Sequence, residues 1–220
     1  RETDWETALA RVVDGLKSVI AKHGASAIGV LGTPHSTLEE LGLLARLARG
    51  LGCENIDHRL RRADLSGDSK RAGVPWLGMK VAEIGKLDRV LVVGSFLRKD
   101  HPLIAQRLRQ SAKKGQHVHL LHVAADDPLV NLKSKTILAP GALVDALAAV
   151  VKAAAEAKQI AVPAHAAGAA VSEAARLVAA SLASGQGVGI FLGLTAEAHP
   201  RAAELQALAQ QKRESEPVDQ

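Results

Sequence analysis

The 220-residue sequence predicts an α/β fold, doubly wound around a mostly parallel sheet. Three features carry that expectation. Short apolar runs alternate with helical patterns of roughly ten or more residues, as in strand, crossover, strand units with right-handed connections. Runs such as "SAIGVLG" (26–32), "RVLVVG" (89–94) and "VGIFLG" (188–193) lack in/out alternation, as strands covered on both faces do. Each of them also reaches a glycine with a helix soon after.

In chain order, Trp5, Leu9, Val12, Leu16 and Ile20 recur at helical spacing, and "KHG" (22–24) supplies a basic last turn and a glycine stop. The strand over 26–32 follows. The next helix is expected to start with Ser36 and Glu39 as a capping box, to carry Leu38, Leu41, Leu44, Leu47 and Leu51 on one stripe, and to stop at Gly50 or Gly52. "CENIDHRLRR" holds a short second strand, and the Gly-, Ser- and Pro-rich stretch 63–78 reads as a long surface connection. "KVAEIGKLDR" gives a helical turn or two before the strand at 89–94. Asp100 is then expected to cap a helix whose first position is Pro102, a residue tolerated there because its missing N–H would be unpaired anyway. Gly115 ends that helix and "HVHLLHV" (117–123) is the next strand. A brief apolar run leads into the Ala-rich helix of "GALVDALAAVVKAAAEAK". The helix of 171–185, the strand of 188–193 and a helix begun near Pro200 complete the pattern. The expected division is an α/β region over 1–157, a linker over 158–170, a further strand–helix segment over 171–211 and a disordered, nearly apolar-free tail over 212–220.

Composition narrows the function classes. Hydrophobic residues make up 47% of the chain, with two Trp, two Phe and no Tyr, so the core is aliphatic and an aromatic base-stacking surface is not expected. Lys plus Arg exceed Asp plus Glu by 28 to 23, a formal charge of +5, which favours anionic partners. The clusters at 58–62, 70–71, 98–99 and 113–114 read as solvated helix ends or faces meeting an acidic partner protein rather than nucleic acid. The single cysteine, Cys53, leaves no pair for a disulfide and too few thiolates for an iron–sulfur or zinc site here, and suits a reducing cytosol. The longest apolar runs fall short of the roughly 20 residues of a membrane span, and no signal-peptide pattern precedes them. Any membrane is therefore expected to be reached through a partner. A start at Arg1 rather than methionine suggests a segment of a longer protein.

Ligands of open α/β sheets sit at the carboxyl ends of strands, so the candidate loops are "GTPHS" (32–36), "GSFLRKD" (94–100) and "GLTAEAHP" (193–200). Arg98 and Lys99 would add charge beside helix-start amides. None of the loops is GxGxxG or a Walker A sequence, so the glycines that admit a pyrophosphate are missing. Asp126 and Asp127 follow the strand after Gly94 at about the place of a ribose-binding acid, though later than the roughly 20-residue offset such acids keep. His117 and His119 share one face of a strand and raise a metal reading, which lacks a third ligand. Cys53 has no base beside it and reads as a small packing residue. Taken alone, the residues describe an α/β domain of nucleotide-binding type without a legible active site.

The segments "STLEELGLLARLARGLG" followed by "NIDHRLR", and "GSFLRKDHPLIAQRLRQSAKKG", resemble the molybdopterin-oxidoreductase-type domain found in the large peripheral-arm subunit of bacterial NADH-quinone oxidoreductase, respiratory complex I. The resemblance runs from about Trp5 to Gln211; the tail does not share it. It implies a Rossmann-like, doubly wound α/β region of the molybdopterin-oxidoreductase type. It further implies an architectural role within an enzyme that passes electrons from NADH through iron–sulfur clusters to quinone. No catalytic, cofactor-binding or metal residue is implied in this segment, and the clusters are expected in an N-terminal part that precedes it. The implied partners are the other subunits of the peripheral arm, on the cytoplasmic side of the bacterial inner membrane, with no nucleic acid and no direct membrane insertion. Two alternatives stay open: a true molybdopterin oxidoreductase whose Gly94 loop still grips the pterin dinucleotide, and a nucleotide-binding domain like the middle domains of thiamine-diphosphate enzymes.

Overall fold

The computed structural model describes residues 2–33, 35–58, 64–68 and 76–210. The basic positions 59–62 and 70–71, half of the 63–78 connection and the 212–220 tail lie outside the described residues. The chain divides into two compact units, Arg1–Arg62 and Ala63–Gln220.

The first unit opens with α1 (Trp5–His23), whose N-cap Asp4 accepts the Thr7 N–H at 2.7 Å and whose stop, Gly24, stands at φ +81° and donates to the Ile20 carbonyl. A left-handed stop of this kind is most easily taken by glycine. The strand expected over 26–32 is shorter. Residues 25–27 wind into a 3-10 turn, leaving β1 as Val30–Leu31, paired in parallel with β2 (Ile56–Asp57). Between them lies α2 (Leu38–Gly50), and its cap corrects the expectation. Thr37, not Ser36, is the N-cap: Thr37 Oγ1 accepts the Glu40 N–H and Glu40 Oε2 accepts the Thr37 N–H. Ser36 is one residue early because its own N–H is engaged by Thr33 O in the preceding turn. The buried stripe also differs from the expected one. Ala48 is fully buried and Leu41, Leu44 and Leu51 partly so, whereas Leu38 is 83% and Leu47 57% exposed. Gly52 at φ +73° and Cys53 close the helix with N–H bonds to Arg49 O and Ala48 O, the paired bonds of a Schellman stop. Ile28, Ala48 and Cys53 form the small core, and the Cys53 thiol donates to Ile28 O at 3.0 Å.

The second unit is a four-stranded, wholly parallel sheet in the order β5-β4-β3-β6, built from β3 (Arg89–Val93), β4 (His117–His122), β5 (Leu132–Ile137) and β6 (Val188–Leu192). Its helices are α3 (Leu97–Asp100), α4 (Pro102–Ala112), α5 (Leu143–Ala157), α6 (Glu173–Ala183), α7 (Leu194–Glu197) and α8 (Ala202–Gln210). They lie on both faces, as doubly wound packing requires. Leu91, Val93 and Leu121 pack with Leu147, Val178, Leu205 and their neighbours from α5, α6 and α8. Val90, Val92, Val118 and Leu120 pack on the other face with Ile84, Leu97 and Leu108. The 158–170 segment contains no helix or strand. Ala166 is fully buried, and Lys152 Nζ holds the Ala167 and Ala169 carbonyls at 2.8 and 3.0 Å. Asp64 accepts the Ala203 N–H at 3.0 Å, so α8 is capped by a residue 139 positions earlier.

Among the described residues no helix is long and apolar enough to cross a membrane. The cap assignment carries a direct test. Thr37→Ala is expected to lower stability by about 1 kcal/mol in urea denaturation, against less than about 0.5 kcal/mol for Ser36→Ala. Equal losses from the two would return the cap to Ser36.

Candidate functional site

The order β5-β4-β3-β6 makes the connections leave β3 in opposite directions, so the topological switch point lies between β3 and β6. In folds of this kind the crevice outside the strand ends at that point receives the ligand. Two of the three loops named from sequence meet here. Gly94, at φ +63°, donates its N–H to Leu121 O at 2.8 Å and accepts the Thr195 N–H at 3.0 Å. Gly193 donates to Val93 O at 2.8 Å. A Cβ on Gly193 would lie 2.2 Å from Ser95 Cβ and 2.5 Å from Gly94 O, and one on Gly94 would lie 2.8 Å from Ala196 N. The glycines therefore let two backbone loops approach each other rather than open a cradle. The amides of Gly94, Gly193 and Thr195, which a diphosphate would need, are engaged within the protein. The third loop, 32–36, belongs to the first unit.

Two polar side chains at the strand ends stand apart from this seam's backbone hydrogen bonding. Ser95 is buried and its Oγ has no hydrogen-bond partner among the described residues; His122, the last residue of β4, is fully buried and neither Nδ1 nor Nε2 has one. Buried polar side chains are ordinarily paired, so two orphans at neighbouring strand ends mark unmet hydrogen-bonding capacity. A further orphan, Gln116 Oε1, sits at the opposite end of β4. The Phe96 ring meets His122 edge-on, with centroids 4.4 Å apart at 82°, and Lys99 Nζ lies 5.7 Å from the centroid of the same ring. Burial holds the His122 pKa below the ordinary imidazole value, opposed by the charges of Asp126 and Asp100. Neutral imidazole offers one N–H and one lone pair.

Asp100 does not cap α4, as the sequence suggests. It ends the separate short helix α3 and its Oδ2 accepts the Phe96 N–H at 3.1 Å, fixing the ring that stacks on His122. Position 101 caps α4 by backbone alone, and Pro102 is its first residue as expected. Asp127 accepts the Leu129 N–H and Asp126 O accepts from Lys135, so this pair shapes its own loop. Arg98 and Lys99 are exposed.

His117 and His119 lie at the other end of the sheet, near Ser181. His119 Nε2 meets Ser181 Oγ at 2.8 Å and its Nδ1 meets Ser134 Oγ at 2.7 Å, while His117 Nδ1 is 3.5 Å from Ser181 Oγ. A β-bulge makes this possible: pairing passes from Val118↔Leu132 to His119↔Ser134, skipping Lys133, so a hydroxyl rather than a lysine faces the imidazole. Both nitrogens of His119 are engaged. Among the described residues no three His, Cys, Asp or Glu side chains converge as a metal site would need.

Sequence reading missed His122 and Ser95. The signal was present in "HVHLLH", whose last histidine sits two residues beyond Leu120 and so faces the same way, but only a paired sheet shows that it ends beside the Gly94 loop. These elements define a doubly wound α/β domain. The chain belongs to the molybdopterin oxidoreductase family, whose model matches residues 1–184. Over 127 residues it is 27% identical to a Staphylococcus aureus (strain MRSA252) protein named "Putative formate dehydrogenase", a match covering 56% of this chain and 13% of the relative. It is 28% identical over 123 residues to "Probable oxidoreductase YjgC" of Bacillus subtilis (strain 168), covering 54% of this chain and 12% of that protein. The chain thus corresponds to a small part of these relatives. The solved acetylene hydratase of Pelobacter acetylenicus shares the fold, with TM-score 0.64 and 16% identity over 97% of this chain and 32% of that one.

Two outcomes follow from the geometry. Gly193→Ala is expected to cost about 3 kcal/mol, at the upper end of overpacking penalties, since the new methyl meets backbone; an unchanged denaturation midpoint would show that the two loops are not locked. Burial pushes the His119 pKa down from 6.5 to about 4. The unfolded chain binds that proton first, so the stability is full above about pH 6.5 and is lost as pH falls toward 4, by ~3 kcal/mol. Urea titrations across this window should give a positive slope of stability with pH that His119→Asn reduces; an equal slope in the variant would assign it elsewhere.

Proposed function

We propose that this chain is the α/β part of a molybdopterin oxidoreductase and takes one end of a pterin dinucleotide at the β3/β4 strand ends. The observation that carries this reading is the buried His122 ring, both of its nitrogens without a hydrogen-bond partner among the described residues, against the edge of Phe96 at the end of β4. Family membership and relatives named as formate dehydrogenase and oxidoreductase support it. When bound, such a cofactor supplies the molybdenum centre at which electrons are exchanged with substrate. This chain's residues bind and orient. The donor and acceptor of a neutral His122 suit the mixed donor–acceptor edge of a guanine or pterin ring. The residues do not fit the diphosphate at β3/β6, where Gly94 and Gly193 already meet.

That closed crevice favours a second reading, together with the stretch "GSFLRKDHPLIAQRLRQSAKKG". In it the chain is an architectural domain in the large peripheral-arm subunit of a bacterial NADH:quinone oxidoreductase, holding no cofactor itself. The iron–sulfur clusters would then sit elsewhere in that subunit, and the partners would be the other peripheral-arm subunits on the cytoplasmic side of the membrane.

Titration of guanosine diphosphate into the cofactor-free, full-length protein separates the two. The first reading expects saturable binding weakened about tenfold in His122→Ala, roughly the ~1.4 kcal/mol of one hydrogen bond. Absence of saturable binding, with iron but no molybdenum in the assembled complex, would replace it with the second.

A further inference from the structure

The two edges of the four-stranded sheet are built differently. Edge strand β5 carries exposed Lys133 and Lys135 and the bulge opposite Val118 and His119, charged and irregular features of the kind that keep an edge from pairing. Edge strand β6 has none of these: Val188, Gly189, Ile190, Phe191 and Leu192 are uncharged and half-buried, and they run in unbroken register along β3. Gly187 O accepts the Asp88 and Arg89 N–H groups and the Gly193 N–H goes to Val93 O, so alternate residues 187, 189, 191 and 193 face β3. The N–H and C=O groups of Val188, Ile190 and Leu192 therefore point the other way, where no strand lies among the described residues. Beside that edge, Val188 and Ile190 join Leu182, Leu208 and Ile160 in walling a cavity of about 130 Å³ whose only charged lining residue is Lys158.

Parallel strands of one sheet are joined by right-handed crossovers, which ties the face a connecting helix occupies to the direction in which the chain steps. Helix α4, on the Val90 face, carries the chain from β3 to β4. Helices α5 and α6, on the Leu91 face, carry it the opposite way, from β5 across to β6. Helix α8 follows β6 and packs Leu205 and Leu208 on that same Leu91 face, so a crossover through it steps onward past β6 to the open edge. We propose that β6 is an internal strand of the full-length protein: a parallel strand of the same polypeptide, following α8, pairs with Val188, Ile190 and Leu192 and lays apolar side chains over the cavity. Residues 211–220 hold one apolar residue, Val218, beside Pro217, so the strand is assigned to polypeptide beyond them. The relatives of which this chain covers 13% and 12% have the length for it. A second copy pairing edge to edge is disfavoured because the crossover brings the polypeptide's own strand to that position. The proposal does not depend on which reading of the strand-end site holds.

Residue-resolved amide hydrogen exchange in the full-length protein tests it, because the Ile190 and Leu192 amides report on an outer neighbour and the Gly189 and Phe191 amides on β3. The Ile190 and Leu192 N–H groups are expected to exchange at least about 100-fold more slowly than an unprotected amide, and as slowly as Phe191, at every protein concentration. Fast exchange at Ile190 and Leu192 beside a slow Phe191 would overturn the proposal. Protection that develops only as the concentration rises would overturn it in favour of a second copy. Photo-leucine incorporated throughout the same protein supplies a second measurement, since Leu182 and Leu208 line the cavity. Their cross-links are expected to reach residues beyond 220 of the same polypeptide. Cross-links confined to another chain, recognised by mixing isotopically light and heavy protein, would overturn it.

Discussion

The second unit depends on the close approach of two backbone loops at the ends of β3 and β6. Val93 O receives the Gly193 N–H and Gly94 O receives the Thr195 N–H, so the parallel ladder continues past the strands into the loops. No side chain fits there, and Gly193 in particular lies against Ser95 and Gly94 O at distances a Cβ could not tolerate. Closing this seam completes the sheet at the switch point. It also occupies the glycines and amides that a phosphate-binding crevice would use. The hydrogen-bonding capacity left unmet at the strand ends, among the described residues, is then that of the Ser95 and His122 side chains.

Strand β4 shows how one sequence run serves both ends of a sheet. His119 faces α6 and is held between Ser134 and Ser181, with both ring nitrogens matched by hydroxyls. His122 ends the strand on the opposite face, against an aromatic ring, with both nitrogens unmatched. Burial lowers the pKa of each, so both are neutral imidazoles near neutral pH. The difference is one of partners. The bulge at Lys133 brings a serine to the first, and no hydrogen-bonding group among the described residues comes to the second.

The central strand β3 was legible because a strand buried on both faces must be apolar, as it is at every position after Arg89, and β4 was legible although three of its six residues are histidine. Edge strand β5 was not: Leu132–Ile137 alternates between half-buried and exposed residues and carries two lysines, so only its last two residues fell in the brief apolar run read before the next helix. Thr37 and Ser36 both stand three residues before a glutamate, and local spacing cannot choose between them; the turn hydrogen bond from Ser36 to Thr33 O does. Asp100 failed as a cap for a related reason. A four-residue helix inserted before Pro102 turned its carboxylate back to Phe96.

By itself the sequence determined the α/β class, the order of the main helices and the central strands, the lack of paired cysteines and the loops at which a ligand would be sought. These follow from periodicity, apolar runs and residue chemistry, all of which act over a few neighbouring positions. Tertiary structure alone decided that the Gly94 and Gly193 loops close on each other, that His119 is satisfied, and that His122 and Ser95 are not. Each of those depends on which atoms meet across strands 15 to about 100 residues apart in the chain, and no local pattern encodes such a distance.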